Sequence, residues 1–168
     1  SFAEAHASLA VLSAQAGPAD EAEAHVARAI AIAPDAPSIR LAQARMYLML
    51  GAHTDAVAIL TALDPVSQAS EPHTWEAARN WAALDRFDRV ADAWTACLAA
   101  HAHRSDAWRF AIEAARARVR VGDLPAAAVL LDQAQVLVLV LVLVLLVVVL
   151  AQFLGQVGAQ RLGVGVVV

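Results

Sequence analysis

The chain has 168 residues and a formal net charge of −4, all 12 of its basic residues are arginine, and about a quarter of it is alanine. An acidic balance without clustered basic residues argues against DNA or RNA as a partner. One cysteine excludes an internal disulfide, and the length suits a single elongated domain with a continuous core. Arginine without lysine, and Asn80 as the one asparagine, match the compositional bias of a GC-rich bacterial genome. Neither a Met nor a charged-then-apolar leader stands at Ser1, so a fragment or a processed product is expected.

Apolar periodicity and stop signals predict helices over 2–16, 19–33, 38–50, 54–63, 74–84, 87–101, 106–121 and from 125 onward, with no strand before 135. The first pair turns at Gly17, with Pro18 suited to the start of its second helix. The second pair turns at Gly51; Thr54 is placed to cap the next helix, which Asp64-Pro65 should end early. The third pair turns at Asp85. The fourth is entered through Asp106, a candidate cap before Trp108, and turns at Gly122 ahead of Pro125. Positive φ is expected at Gly17, Gly51 and Gly122, where a first helix must stop.

These turns keep time: Gly17, Gly51 and Asp85 stand 34 residues apart. So do Ala10, Ala44 and Ala78; Ser13, Tyr47 and Trp81; Ala22, Ala56 and Val90; Val26, Leu60 and Trp94; and Ala29, Leu63 and Cys97. A fourth unit follows three residues late as Ala115, Gly122, Ala127, Leu131 and Ala134. Small residues let helix backbones approach while Tyr47, Trp81, Leu60 and Trp94 fill the spaces between them. A fixed period of this length marks stacked units, none of which buries its apolar face alone.

The rows resemble the tetratricopeptide repeat (TPR), as found in bacterial TPR domains, over roughly residues 3–134. That resemblance implies an all-α, right-handed helical-hairpin solenoid of about four repeats. Departures from the pattern are Ser13 for the aromatic, Asp85 for the turn glycine and Leu63 for a small residue, with no proline closing the third unit. The resemblance also implies that the first helix of each unit lines a concave surface accepting an extended peptide or a helix. On that face the register places Leu41, Trp75 and Ile112 in one row and Arg45, Arg79 and Arg116 in the next. Three guanidiniums one repeat apart suit the carboxylates of an acidic, partly apolar protein or peptide, with Trp75 as a flat apolar contact. Glu76 and Glu113, three residues before Arg79 and Arg116, offer the blander alternative of local helix pairs. The family's Lys/Asn peptide clamp has no counterpart in this sequence.

The expected organisation is therefore a repeat domain over 1–134 and a Val/Leu-rich apolar tail over 135–168. Every residue from Val136 to Leu150 is Val or Leu, and residues 136–154 are long enough to span a hydrocarbon core. Three readings of this tail stand: a membrane helix, a non-native end, as the Gly-Val run from Gly163 to Val168 would suggest, or burial against a missing part of a longer protein. A spanning tail, with Arg116, Arg118 and Arg120 before it and Arg161 after it, would leave the repeats in the cytoplasm, anchored to the inner membrane.

No catalytic site is expected. Cys97 and His101 share a helix face, but Cys97 falls in a small-residue row where a buried, inert thiol belongs. His101 and His103, with His73, lack the spacing of a helical metal pair. No phosphate loop, dinucleotide motif or framed nucleophile occurs, so neither cofactor nor metal is expected. A non-enzymatic scaffold or adaptor is the expected function. The alternative is a repeat module of a larger enzyme, such as a bacterial transferase, or of a secretion component whose catalytic part lies outside this chain.

Overall fold

The structure is a computed structural model that describes residues 1–67 and 70–161, with side chains described for 1–63 and 70–152. Among the described residues there are eight helices and no strand: α1 (Phe2–Ala16), α2 (Ala19–Ile32), α3 (Pro37–Met49), α4 (His53–Ser67), α5 (Glu71–Ala83), α6 (Phe87–Ala100), α7 (Trp108–Arg120) and α8 (Leu124–Arg161). They pack as four hairpins, α1 with α2, α3 with α4, α5 with α6 and α7 with α8.

Three of the hairpin turns are the same object. At Gly51, Asp85 and Gly122 the backbone is left-handed, with φ of 76°, 56° and 79°. The next residue's N–H donates to a carbonyl five residues back: Ala52 to Tyr47 at 2.9 Å, Arg86 to Trp81 at 3.0 Å and Asp123 to Arg118 at 3.0 Å. This is the Schellman arrangement, which satisfies the last carbonyls of a helix and reverses the chain. Asp85 thus does the work of a glycine, as short polar side chains are able to do in this conformation. Gly17 does not share it. Its φ of −128° is extended, and its N–H donates to Ser13 O at 2.7 Å in a shorter turn that leads directly into Pro18.

The repeat rows form the core. Ala10, Ala22, Ala29, Ala44, Ala56 and Cys97 are fully buried, and Leu60, Trp81 and Trp94 nearly so. One apolar cluster runs from α3 to α8, and two smaller ones join α1, α2 and α3. In the last unit Leu130, not Leu131, turns inward, and Leu131 is half exposed. Leu131 occupies the row of Val26, Leu60 and Trp94, which needs a following unit to cover it. No further hairpin packs there among the described residues.

The three-residue delay of the fourth unit has a visible cause. Residues 33–36 join the first unit to the second, whereas residues 101–107 join the third to the fourth. With this longer connection α7 packs on α6, while α1 packs on α3 and α3 on α5; α5 and α7 make no comparable contact. Asp106 does not cap α7: its carboxylate takes two bonds from Arg104, at 2.9 and 2.8 Å, and Ala107 occupies the cap position. Thr54 lies inside α4, whose first backbone bond goes to Ala52 O, and the helix does not end at Asp64-Pro65 but runs to Ser67. Asp123 provides the cap of α8, its carboxylate accepting from Ala126 N–H at 3.2 Å.

The apolar stretch is helical, an unbroken continuation of α8 past 134. Leu137 still packs against the main core, but Val138–Val140 and Val142–Leu150 lie exposed. Within Leu124–Gln152 an 18-residue stretch reaches a mean hydropathy of 3.3, and the helix is long enough to cross a membrane. Alternating Val and Leu did not impose a strand, since both faces are equally apolar and alternation selects neither. The Gly-Val run lies outside the described residues.

Candidate peptide-binding groove

Three cavities open along the first helices of the hairpins. The largest, about 480 Å³, lies between α1, α3 and α5, with Glu4, Ser8 and Leu12 on one wall and Leu41, Arg45, Glu76 and Asn80 on the other. The next, about 200 Å³, shares Arg45 and Asn80 and adds Leu48, Met49, Arg79 and Ala83. The third, about 230 Å³, lies where α7 stands away from α5, lined by Trp75, Trp94, Trp108, Arg109, Phe110, Ile112, Glu113 and Arg116.

The six residues expected on this face fall into two groups. Arg45 and Arg79 share the middle cavity; Trp75, Ile112 and Arg116 share the third. Leu41 is fully buried and reaches the groove only as part of the wall of the first cavity. Trp75 is 45% exposed and meets buried Trp94 edge-on at 4.7 Å between ring centres, and Trp94 in turn stacks on Phe110 at 5.9 Å. The third cavity therefore has a rigid aromatic wall.

The arginines differ in how they are held. Arg116 donates to Glu113 at 2.8 Å, the local pair expected from their spacing. Arg79 makes no ion pair with Glu76 or any other described residue. Arg45 has a buried Nε with no hydrogen-bond partner. Beside it, Asn80 is buried and donates through Nδ2 to Leu41 O at 3.1 Å, which ties α5 to α3. Trp94 stands in its core row as expected from the register, but Asn80, Trp108, Arg109 and Phe110 carry no repeat signal, because each is unlike its counterparts in other repeats.

Outside the groove the charged groups serve the scaffold. Arg104 in the α6–α7 connection bridges Glu71 on α5 at 2.9 Å as well as Asp106, and Arg118 on α7 pairs with Asp92 on α6 at 2.7 Å. Arg120 lies over the Phe87 ring at 5.3 Å, so Arg118 and Arg120, ahead of the apolar stretch, are both engaged with α6. Burial pushes the Cys97 thiol above its ordinary value, with a Thr74 hydrogen bond opposing. That is the environment of an inert core thiol. Among the described residues no three of His, Cys, Asp or Glu gather as a metal site, and the His101 and His103 rings lie 6.5 Å apart.

No protein-family model matches the sequence, and neither does any curated protein. Solved structures do resemble it. The MamA structure AMB-1 P212121 superposes with a TM-score of 0.51 at 16% identity, covering 79% of this chain and 71% of that one. MamA MSR-1 C2 gives 0.50 at 18% identity, with 80% and 76% covered. At such identities the likeness concerns the fold alone, and MamA is a TPR-like helical-repeat protein. The chain therefore has a TPR-like all-α fold of four helical hairpins with an apolar C-terminal helix.

Proposed function

We propose that this chain is a protein-interaction scaffold whose first-helix groove receives an acidic, partly apolar peptide or helix of a partner protein. The observation that carries this reading is Arg45, whose buried Nε has no acceptor and whose side chain lines two adjoining cavities. A buried donor left unmet costs about 1–3 kcal/mol, more for a charged group. A partner carboxylate entering these cavities would pair with the guanidinium in a charge-assisted bond. Arg79, in the same cavity and without an ion pair among the described residues, offers a second such contact. Further along, Trp75 and Ile112 would receive an apolar side chain, with Arg116 exchanging Glu113 for the partner.

In this reading residues 1–134 form the binding domain and residues 135–168 its tail, with 136–154 spanning the inner membrane and the groove in the cytoplasm. The exposed, uncharged stretch of α8 over 136–152 favours this: such an area in water would drive aggregation. The experiment is selection of a random peptide library on the full chain in detergent micelles. Recovered binders should be enriched in Asp and Glu beside large apolar residues. Recovery of basic or unbiased sequences would overturn the reading.

A further inference from the structure

We propose that His6 and His25 form a two-imidazole chelate for a late first-row divalent cation, Cu²⁺, Ni²⁺ or Zn²⁺, which clamps α1 to α2. The pair lies on adjacent helices, 19 residues apart in sequence, with Nδ1 facing Nδ1 at 3.1 Å. The ring centres are 5.3 Å apart and the planes tilt by 30°. Neither ring is fully buried, and neither lines a groove cavity.

Tautomer chemistry makes the contact unusual. A neutral imidazole carries one N–H and one lone pair, so two facing Nδ1 atoms are compatible only if one ring takes the Nδ1–H form and donates to the other. A metal removes that constraint, since both rings then present lone pairs to it and keep their protons on Nε2. The spacing fits: with metal–nitrogen bonds of about 2.0–2.1 Å, a separation of 3.1 Å subtends an angle at the metal of about 95–100°. That angle lies between square-planar and tetrahedral values, and imidazole is a preferred ligand of these three ions. No third His, Cys, Asp or Glu joins the pair among the described residues. The remaining positions therefore go to water or to a group from a partner, and the site is open.

Such a clamp would act where the array begins. Helix α1 supplies one wall of the 480 Å³ cavity through Glu4, Ala7, Ser8, Val11 and Leu12. Fixing α1 against α2 would fix that wall, so metal would stiffen the first third of the groove. This site does not depend on what the groove binds.

The test uses the full chain in detergent micelles, free of any histidine tag and washed with chelator, titrated with Cu²⁺ or Zn²⁺ alone. One ion should bind per chain and raise the melting temperature. His6→Gln and His25→Gln should each weaken binding by more than the roughly 10–100-fold lost when only an outer-shell partner is removed. A His101→Gln/His103→Gln variant should bind as before. Where either single variant fails to fold, X-ray absorption on the His101→Gln/His103→Gln chain loaded with one equivalent of Zn²⁺ decides the matter: two imidazoles per metal are expected. No binding up to millimolar metal, unchanged affinity in His6→Gln, or fewer than two imidazoles per metal would overturn the proposal.

Discussion

Asp85 is the residue at which one local preference is overridden by the repeat as a whole. Gly51 and Gly122 hold the same left-handed turn, and a Cβ at either would meet nothing within 4 Å, so substitution there is opposed by backbone conformation alone. Gly51→Ala and Gly122→Ala should each cost about 1–2 kcal/mol, whereas Asp85→Gly should stabilise, as followed by chemical denaturation. Gly17→Ala is a different case. Its backbone is ordinary, but the new Cβ would lie 3.2 Å from Ser13 O.

Charged pairs at this scale predict a pH response. Hydrogen bonds from Arg86 and from Arg104 hold the Asp88 and Asp106 carboxyls below their ordinary range. A carboxyl whose folded value is depressed contributes stability above its unfolded value, roughly pH 4, and loses it as pH falls through the folded value. Melting temperature should therefore drop on acidification below about pH 4. Asp106→Asn should shallow that limb, and an unchanged limb in the Asp88→Asn/Asp106→Asn variant would count against these pairs.

At the scale of elements, the helices were legible because composition and spacing repeat, and the departures arose where a neighbour intervened. Asp106 has the chemistry of a helix cap, yet Arg104 claims both its oxygens while also reaching Glu71 on another helix. A one-dimensional reading has no access to that competition. Likewise Leu131 sits in the expected row, yet among the described residues no further hairpin covers it and Leu130 is the buried neighbour. The α8 tail gives the sharpest test of an element. Val142→Arg with Val147→Arg would place two charges near the middle of the proposed span, each costing about 2.5–3.5 kcal/mol there. Alkaline extraction of membranes carrying the full chain should then release the variant and retain the parent. Equal release of both would remove the anchor.

Across the whole molecule, the sequence period determined the hairpins and their order, while the site emerged from a break in that period. Three additional residues in the α6–α7 connection move α7 onto α6, and the space left beside α5 becomes the cavity that Trp75, Ile112 and Arg116 share. Register alone placed Trp75 and Ile112 on one row and Arg116 on the next. It could not show that Trp94 and Phe110 would stack behind them, since both read as ordinary core residues. Nor could it show the facing His6 and His25, which belong to no repeat row and no known spacing.

The central claim is that the groove reads carboxylates through its arginines. The direct measurement is calorimetric titration of a library-selected peptide into the full chain and into its Arg45→Ala/Arg79→Ala/Arg116→Ala variant, across a range of salt concentrations. The parent should lose affinity as salt rises, and the variant, folded to the same helicity, should bind more weakly by about 1–3 kcal/mol per lost carboxylate contact, with a flatter salt dependence. Equal affinity and equal salt dependence in the two proteins would contradict the account, leaving these arginines as surface charge.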